Sequence, residues 1–181
     1  YDSIYHEHYS YFFLSSFIYA AKQNNLKVID VIESPISGGA LIAILSKNQK
    51  EDISENLIKK LEQDERLEIS TRHAWVEFAN YSKDHAKRLF EIVKKFSKDS
   101  KVYGFGSSAR SNTMIGFSGI NNQHVESIID NSPLKQGKYT PGTKIKIKSI
   151  NNLPKENITL LLLAWNFAEE ILDDLKKKGY R

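Results

Sequence analysis

Val102-Tyr103-Gly104-Phe105-Gly106-Ser107-Ser108-Ala109 spells G-x-G-x-x-A between a strand-forming run and a helical stretch. Such a loop suits phosphate chemistry. Gly104 permits a tight turn, Gly106 lets a phosphate approach the backbone, and Ala109 lets the helix pack close to its sheet. The N–H groups at the helix start then face an anion, and Ser107, Ser108 and Arg110 add donors. The same glycines also serve plain packing turns, and on the residues alone both readings stand. Asp130 follows about 20 residues on, where a ribose-binding acid would sit. It is equally placed to cap the turn Asn131-Ser132-Pro133. Lys135 and Lys138 lie on the next loop, beside an anion or merely solvated.

A second cluster, Tyr5-His6-Glu7-His8-Tyr9, gathers imidazoles, a carboxylate and phenols. In extended backbone both imidazoles would share one face. A zinc site needs three or more ligands, and His73, His85 and His124 are far off in sequence, so no metal is expected. A histidine tuned by a nearby carboxylate and phenol suits acid–base work near neutral pH. The competing reading is a polar lead into the apolar helix that begins near Tyr11.

Composition bounds the rest. The chain has 181 residues, 40% hydrophobic and 27% charged, enough for one ordinary domain or two small ones. It has no cysteine, which excludes disulfides and Cys-ligated zinc. The net charge of +4 is weaker than a dedicated nucleic-acid binder shows, so no nucleic-acid partner is expected. The excess sits in residues 101–181, with 12 basic and 7 acidic side chains, so an anionic ligand belongs there. The apolar stretch Tyr11 to Ala21 is about half the roughly 20 residues a bilayer requires, so no membrane partner is expected. The chain opens on Tyr1 with no leader, which reads as a piece of a longer protein in the cytoplasm. Nothing in it signals an oligomeric state.

Elements must position these clusters. Residues 11–23 predict a helix closed by Asn24-Asn25. Strands follow over 26–32 and 40–45, joined through Pro35 and Gly38-Gly39. The second, apolar on both faces, reads as a central strand. Ile53, Leu57 and Leu61 mark an amphipathic helix within 49–69, and a longer one spans 71–96. Then come a strand over 101–105, a helix over 107–117, strands over 125–130, 143–148 and 159–165, and a helix over 166–178 that ends at Gly179. That order predicts an α/β unit with a mostly parallel sheet.

Tyr5-His6-Glu7-His8-Tyr9-Ser10-Tyr11-Phe12 with Gly38-Gly39, then residues 102–113, 130–143 and 160–171, together resemble the sugar C-methyltransferases that depend on S-adenosyl-L-methionine. The likeness covers nearly the whole chain. It implies the helix-strand-strand end of a methyltransferase core over 1–48. A Rossmann-like C-terminal domain follows over 49–181, with a helical lead over 49–100. Family members methylate a carbon beside the 4-keto group of a nucleotide-linked deoxysugar. The resemblance makes His8 the general base, with Glu7 orienting it and Tyr5 assisting. It implies a nucleotide-sugar substrate, dTDP-linked, held between the two domains. Ser107, Ser108, Arg110, Asn112, Lys135 and Asn166 are its candidate contacts, and Gly104 and Gly106 the phosphate loop. The main cofactor loop and a zinc domain are expected upstream of this chain. An NAD(P)-dependent oxidoreductase fragment and a non-catalytic nucleotide-binding module are the rival readings.

Overall fold

The computed structural model describes residues 1–36 and 39–180. Gly38, read with Gly39 as part of a connection, lies outside the described residues. The chain divides into two compact units, Tyr9–Asn80 and Tyr1–His8 together with Tyr81–Arg181.

In the unit of residues 9–80, α1 (Leu14–Gln23) is followed by β1 (Lys27–Ser34), β2 (Ala40–Ser46) and α2 (Glu55–Arg66). Asn25 adopts a left-handed φ of 58°, which ends α1 as the asparagine pair predicts. Ser54 starts α2 by accepting the Leu57 N–H at 3.1 Å. Leu14, Ala21, Val28, Val31 and Leu57 form the core here. β1 and β2 pair antiparallel as a two-stranded sheet. This corrects the expectation of a central strand over 40–45. An apolar run on both faces normally means burial on both faces, yet Leu41, Ile42, Ile44 and Leu45 are exposed. The long helix α3 (Arg72–Asp99) leads into the other unit.

That unit holds β3 (Lys101–Phe105), α4 (Ala109–Phe117), β4 (Ser127–Ile129), β5 (Ile147–Lys148), β6 (Ile158–Leu162) and α5 (Ala168–Lys177). The sheet order is β5-β4-β3-β6, and each neighbouring pair is parallel. Side chains alternate across it. Val102 and Ile128 pack with Val93 of α3 and with Met114 and Ile115 of α4. Tyr103, Phe105 and Ile129 pack instead with Leu175 of α5. Helices therefore cover both faces of a parallel sheet, the predicted α/β, Rossmann-like arrangement.

The paired segments are shorter than the apolar runs. Lys144 has φ 55°, so of residues 143–148 only Ile147 and Lys148 join the sheet, although Ile145 and Ile147 are buried. β6 stops at Leu162 because the N–H groups of Leu163 and Ala164 both turn to the Phe105 carbonyl. α5 ends at Gly179, φ 82°, with the Tyr180 N–H donated back to Leu175.

β3 feeds α4 and then β4 on one side, while β6 lies on its other side. The strand order reverses there, and in such sheets ligands bind outside the carboxyl ends of the strands at that point.

Candidate functional site

The loop leaving β3 runs Gly106-Ser107-Ser108 into α4. Gly104 lies inside β3 and makes no turn. A Cβ there would stand 2.8 Å from Leu163 Cδ1 and 3.0 Å from Ile128 Cγ1, so this glycine makes room for core side chains. The turn falls at Gly106, φ 93°, where a Cβ would lie 2.5 Å from the Ala164 Cβ. The Cβ side of Gly106 is thus packed closely against the chain after β6, which only glycine allows. Ser108 caps α4, its Oγ accepting the Ser111 N–H at 3.1 Å.

The Ser107 N–H is donated to Asp130 Oδ2 at 2.8 Å. Asp130 also accepts the Ser132 N–H at 2.8 Å and the Lys135 ammonium at 3.0 Å. Burial pushes its carboxyl up, but these three donors and the lysine charge outweigh burial and hold it below the ordinary range. Of the two sequence readings of Asp130, the structure places it as the cap of the following turn, which also ties Lys135 to the glycine loop.

Arg110, in the first turn of α4, grips the Asp2 carboxylate: Nε donates to Oδ2 at 3.1 Å and Nη2 to Oδ1 at 3.3 Å. Trp165, in the short turn after β6, donates Nε1–H to the same Oδ2 at 3.0 Å, and the guanidinium lies 5.0 Å from its ring centre. Burial would raise the Asp2 carboxyl, yet hydrogen bonds from Arg110 and Trp165 and the arginine charge hold it low. Tyr1 adds a second anchor, its hydroxyl 2.9 Å from His85 Nδ1 and its ring against Phe117. A cavity of about 400 Å³ lies beside these groups, lined by Tyr1, Asp2, His85, Leu89, Met114 and Trp165.

Residues 1–8 are thereby fastened to the carboxyl ends of β3 and β6. They fold on themselves, Ile4 donating to the Tyr1 carbonyl and His8 to the Tyr5 carbonyl. His8 Nδ1 lies 2.8 Å from the Ser3 carbonyl oxygen. A carbonyl only accepts, so in the neutral ring Nδ1 carries the proton and Nε2 the basic lone pair. The Tyr5 ring covers His8 at a centroid distance of 4.1 Å. The resemblance assigns Glu7 to orient His8; in the structure the Ser3 carbonyl holds Nδ1. The Glu7 carboxylate instead stands 3.9 Å from His6, both exposed.

Every predicted site residue thus falls in one compact unit. Arg110 is joined to the His8 segment through Asp2, and Lys135 to the glycine loop through Asp130. Asn166 sits exposed beside Trp165. Asn112, on α4, has a buried Oδ1 with no hydrogen-bond donor. Asp2, Ser3 and Trp165 were missed in the sequence, where no local pattern marks them. Among the described residues no group of three or more His, Cys, Asp or Glu is placed to hold a metal ion. No helix among them is long and apolar enough to cross a membrane. A larger cavity, about 700 Å³, opens in the unit of residues 9–80 between Phe12, Phe17 and Leu41. Its charged lining is the Glu33–Lys60 ion pair, so its size does not mark chemistry.

The profile of the C-methyltransferase C-terminal domain matches residues 35–180. The chain is 29% identical over 183 aligned residues to a C-methyltransferase, NovU, of Streptomyces niveus. That alignment takes in 98% of this chain and 43% of the relative, so the chain spans less than half the length of the curated protein it matches.

Proposed function

The chain belongs to the C-methyltransferase C-terminal domain family, and from that membership we propose that it serves S-adenosylmethionine-dependent methylation of carbon. The acceptor is the carbon beside the 4-keto group of a nucleotide-linked deoxysugar, dTDP-linked, and the compartment is the cytoplasm. The observation that carries this reading is the seating of His8: with Nδ1–H on the Ser3 carbonyl, Nε2 is the base.

A C–H beside a ketone is acidic only through its enolate, so the reaction needs a positioned base. His8 Nε2 takes that proton. The C–H electron pair becomes the enolate, and the imidazolium keeps Nδ1–H on Ser3. Tyr5, whose ring covers His8, is assigned to hydrogen-bond the ketone oxygen as negative charge gathers there.

Ser107, Ser108, Arg110, Lys135 and Asn166 are assigned to the nucleoside diphosphate. Asn112 joins them because a buried orphan acceptor calls for a donor such as a sugar hydroxyl. Arg110 has five donors in its fork, so its pairing with Asp2 is compatible with this assignment. The methyl donor does not fit the glycine turn of this chain, which Ala164 and Asp130 close, so its binding is assigned to no residue here.

Proton abstraction can be tested without the methyl donor. A dTDP-linked 4-keto-6-deoxysugar incubated with the enzyme in deuterated water should gain deuterium beside the ketone, read by mass spectrometry. His8→Asn should abolish the gain. Exchange that survives the substitution unchanged would remove His8 as the base.

A further inference from the structure

We propose that Phe167 is the residue on which the nucleobase of the nucleotide sugar stacks, on the turn after β6 and beside the glycine loop. The proposal rests on the nucleotide-sugar reading above and supplies what that reading leaves open, a holder for the base. The sugar is assigned to His8 and Tyr5, and the diphosphate to the start of α4 and its neighbours. The planar heteroaromatic ring is the part of the ligand still without an apolar contact.

The turn Trp165–Phe167 is firmly seated. Before it, the N–H groups of Leu163 and Ala164 reach the Phe105 carbonyl at 3.0 and 3.1 Å, and Ala164 packs on Gly106. Within it, the Phe167 N–H returns to the Ala164 carbonyl at 3.0 Å. Trp165 donates to Asp2, and its ring lies 5.0 Å from the Arg110 guanidinium. The turn is thereby held against the loop and helix start to which the diphosphate is assigned. Phe167 differs from Trp165. It is 56% exposed, stands outside the cluster that α5 forms with the sheet, and makes no ring contact among the described residues. It precedes the first turn of α5, and its side chain caps nothing there. An aromatic ring kept in water on a rigid turn, at the end of the sheet where ligands bind, is pre-organised for stacking. Every base has a π-face, so such a ring gives affinity with little selectivity among bases. Asn166, exposed on the same turn, has both a donor and an acceptor for the polar edge of the base.

Calorimetry on the intact enzyme with inorganic pyrophosphate, dTDP and a dTDP-linked 4-keto-6-deoxysugar separates the parts of the ligand. The wild type should bind dTDP more tightly than pyrophosphate. Phe167→Ala should weaken dTDP and the sugar nucleotide alike by about 5- to 150-fold, the contribution of one stacked base. Its pyrophosphate affinity and melting temperature should not change. Phe167→Tyr keeps the ring and should keep wild-type affinity. Leu172→Ala, which removes another exposed apolar side chain from the same helix region, should change none of the three affinities. Unchanged dTDP affinity in Phe167→Ala would overturn the proposal and place the base elsewhere. An equal loss for pyrophosphate would overturn it too, making the ring a support for the phosphate loop. A loss confined to the sugar nucleotide would overturn it by making Phe167 a sugar contact. If the wild type binds neither dTDP nor the sugar nucleotide, the nucleotide-sugar reading itself fails and the stacking role falls with it.

Discussion

The carboxylate of Asp130 accepts the backbone N–H of Ser107 at 2.8 Å, so the end of β4 holds the loop that leaves β3. An internal anion thereby occupies one of the donors that a strand–glycine–helix turn would offer to a phosphate. The loop is organised before any ligand arrives, and Lys135 is drawn to it by the same carboxylate.

Asp130→Asn should lower unfolding free energy by about 1–3 kcal/mol, since charge-assisted bonds to two backbone N–H groups and Lys135 are weakened. Urea denaturation at pH 7 measures this. The pH dependence fixes the sign. Asp2 and Asp130 both have carboxyls held below the ordinary 3.8. Their contribution is complete above that value and is lost as pH falls through the lower folded-state values. The wild type should therefore lose stability steeply below about pH 4, and Asp130→Asn should do so less steeply.

Gly106→Ala should destabilise the protein by about 2–5 kcal/mol, combining a strained positive φ with overpacking against Ala164. Gly137→Ala is the control. Its φ is 83° but nothing lies within 4 Å of the added carbon, so only about 1–2 kcal/mol of backbone strain is expected. Equal losses in both variants would show that Ala164 moves aside.

His8→Asn in the intact enzyme should reduce turnover at least about 100-fold while leaving the Michaelis constant nearly unchanged. Initial rates across substrate concentration separate the two. A raised Michaelis constant with unchanged turnover would make His8 a binding residue.

Asn112→Leu should leave stability unchanged or slightly raised, because the acceptor it removes is already buried without a donor. Affinity for the nucleotide sugar should fall by about 5- to 30-fold, the loss of one hydrogen bond in a shielded site. Thermal melts and calorimetry give the two numbers. A large drop in melting temperature with no change in affinity would make Asn112 a structural residue.

Periodicity made the elements legible. The apolar stripe of Trp75, Phe78, Ala79, Ala86, Leu89, Val93 and Phe96 marks α3, although Trp75, Phe78 and Phe96 are exposed, and the alternation of Ile and Lys over 143–148 marks a half-exposed segment whose Ile145 and Ile147 are buried. Glycine and asparagine gave the ends, at Asn25 and Gly179. The strand over 40–45 misled because hydrophobicity reports a tendency to be covered, and Ile42 and Ile44 are exposed in the ribbon that β1 and β2 form. The glycine loop was legible, but its packing was not, since nothing near Gly106 in sequence announces Ala164. Asp2 was invisible for the same reason: its partners stand 108 and 163 residues away. Pairings of that separation leave no periodic trace.

The bond between Asp2 and Trp165 also sets an order of events on the ribosome. The aspartate emerges first, and the indole it needs follows 163 residues later. At about 5–20 residues per second, the histidine-bearing segment waits roughly 8–30 s after its own synthesis before it can dock. Closing so long a loop also carries an entropic cost that the sheet must first offset. The opening residues thus cannot complete this contact until the turn after β6 has been made, and a truncation that removes that turn would leave Asp2 to Arg110 alone while β3, α4 and β4 could still assemble.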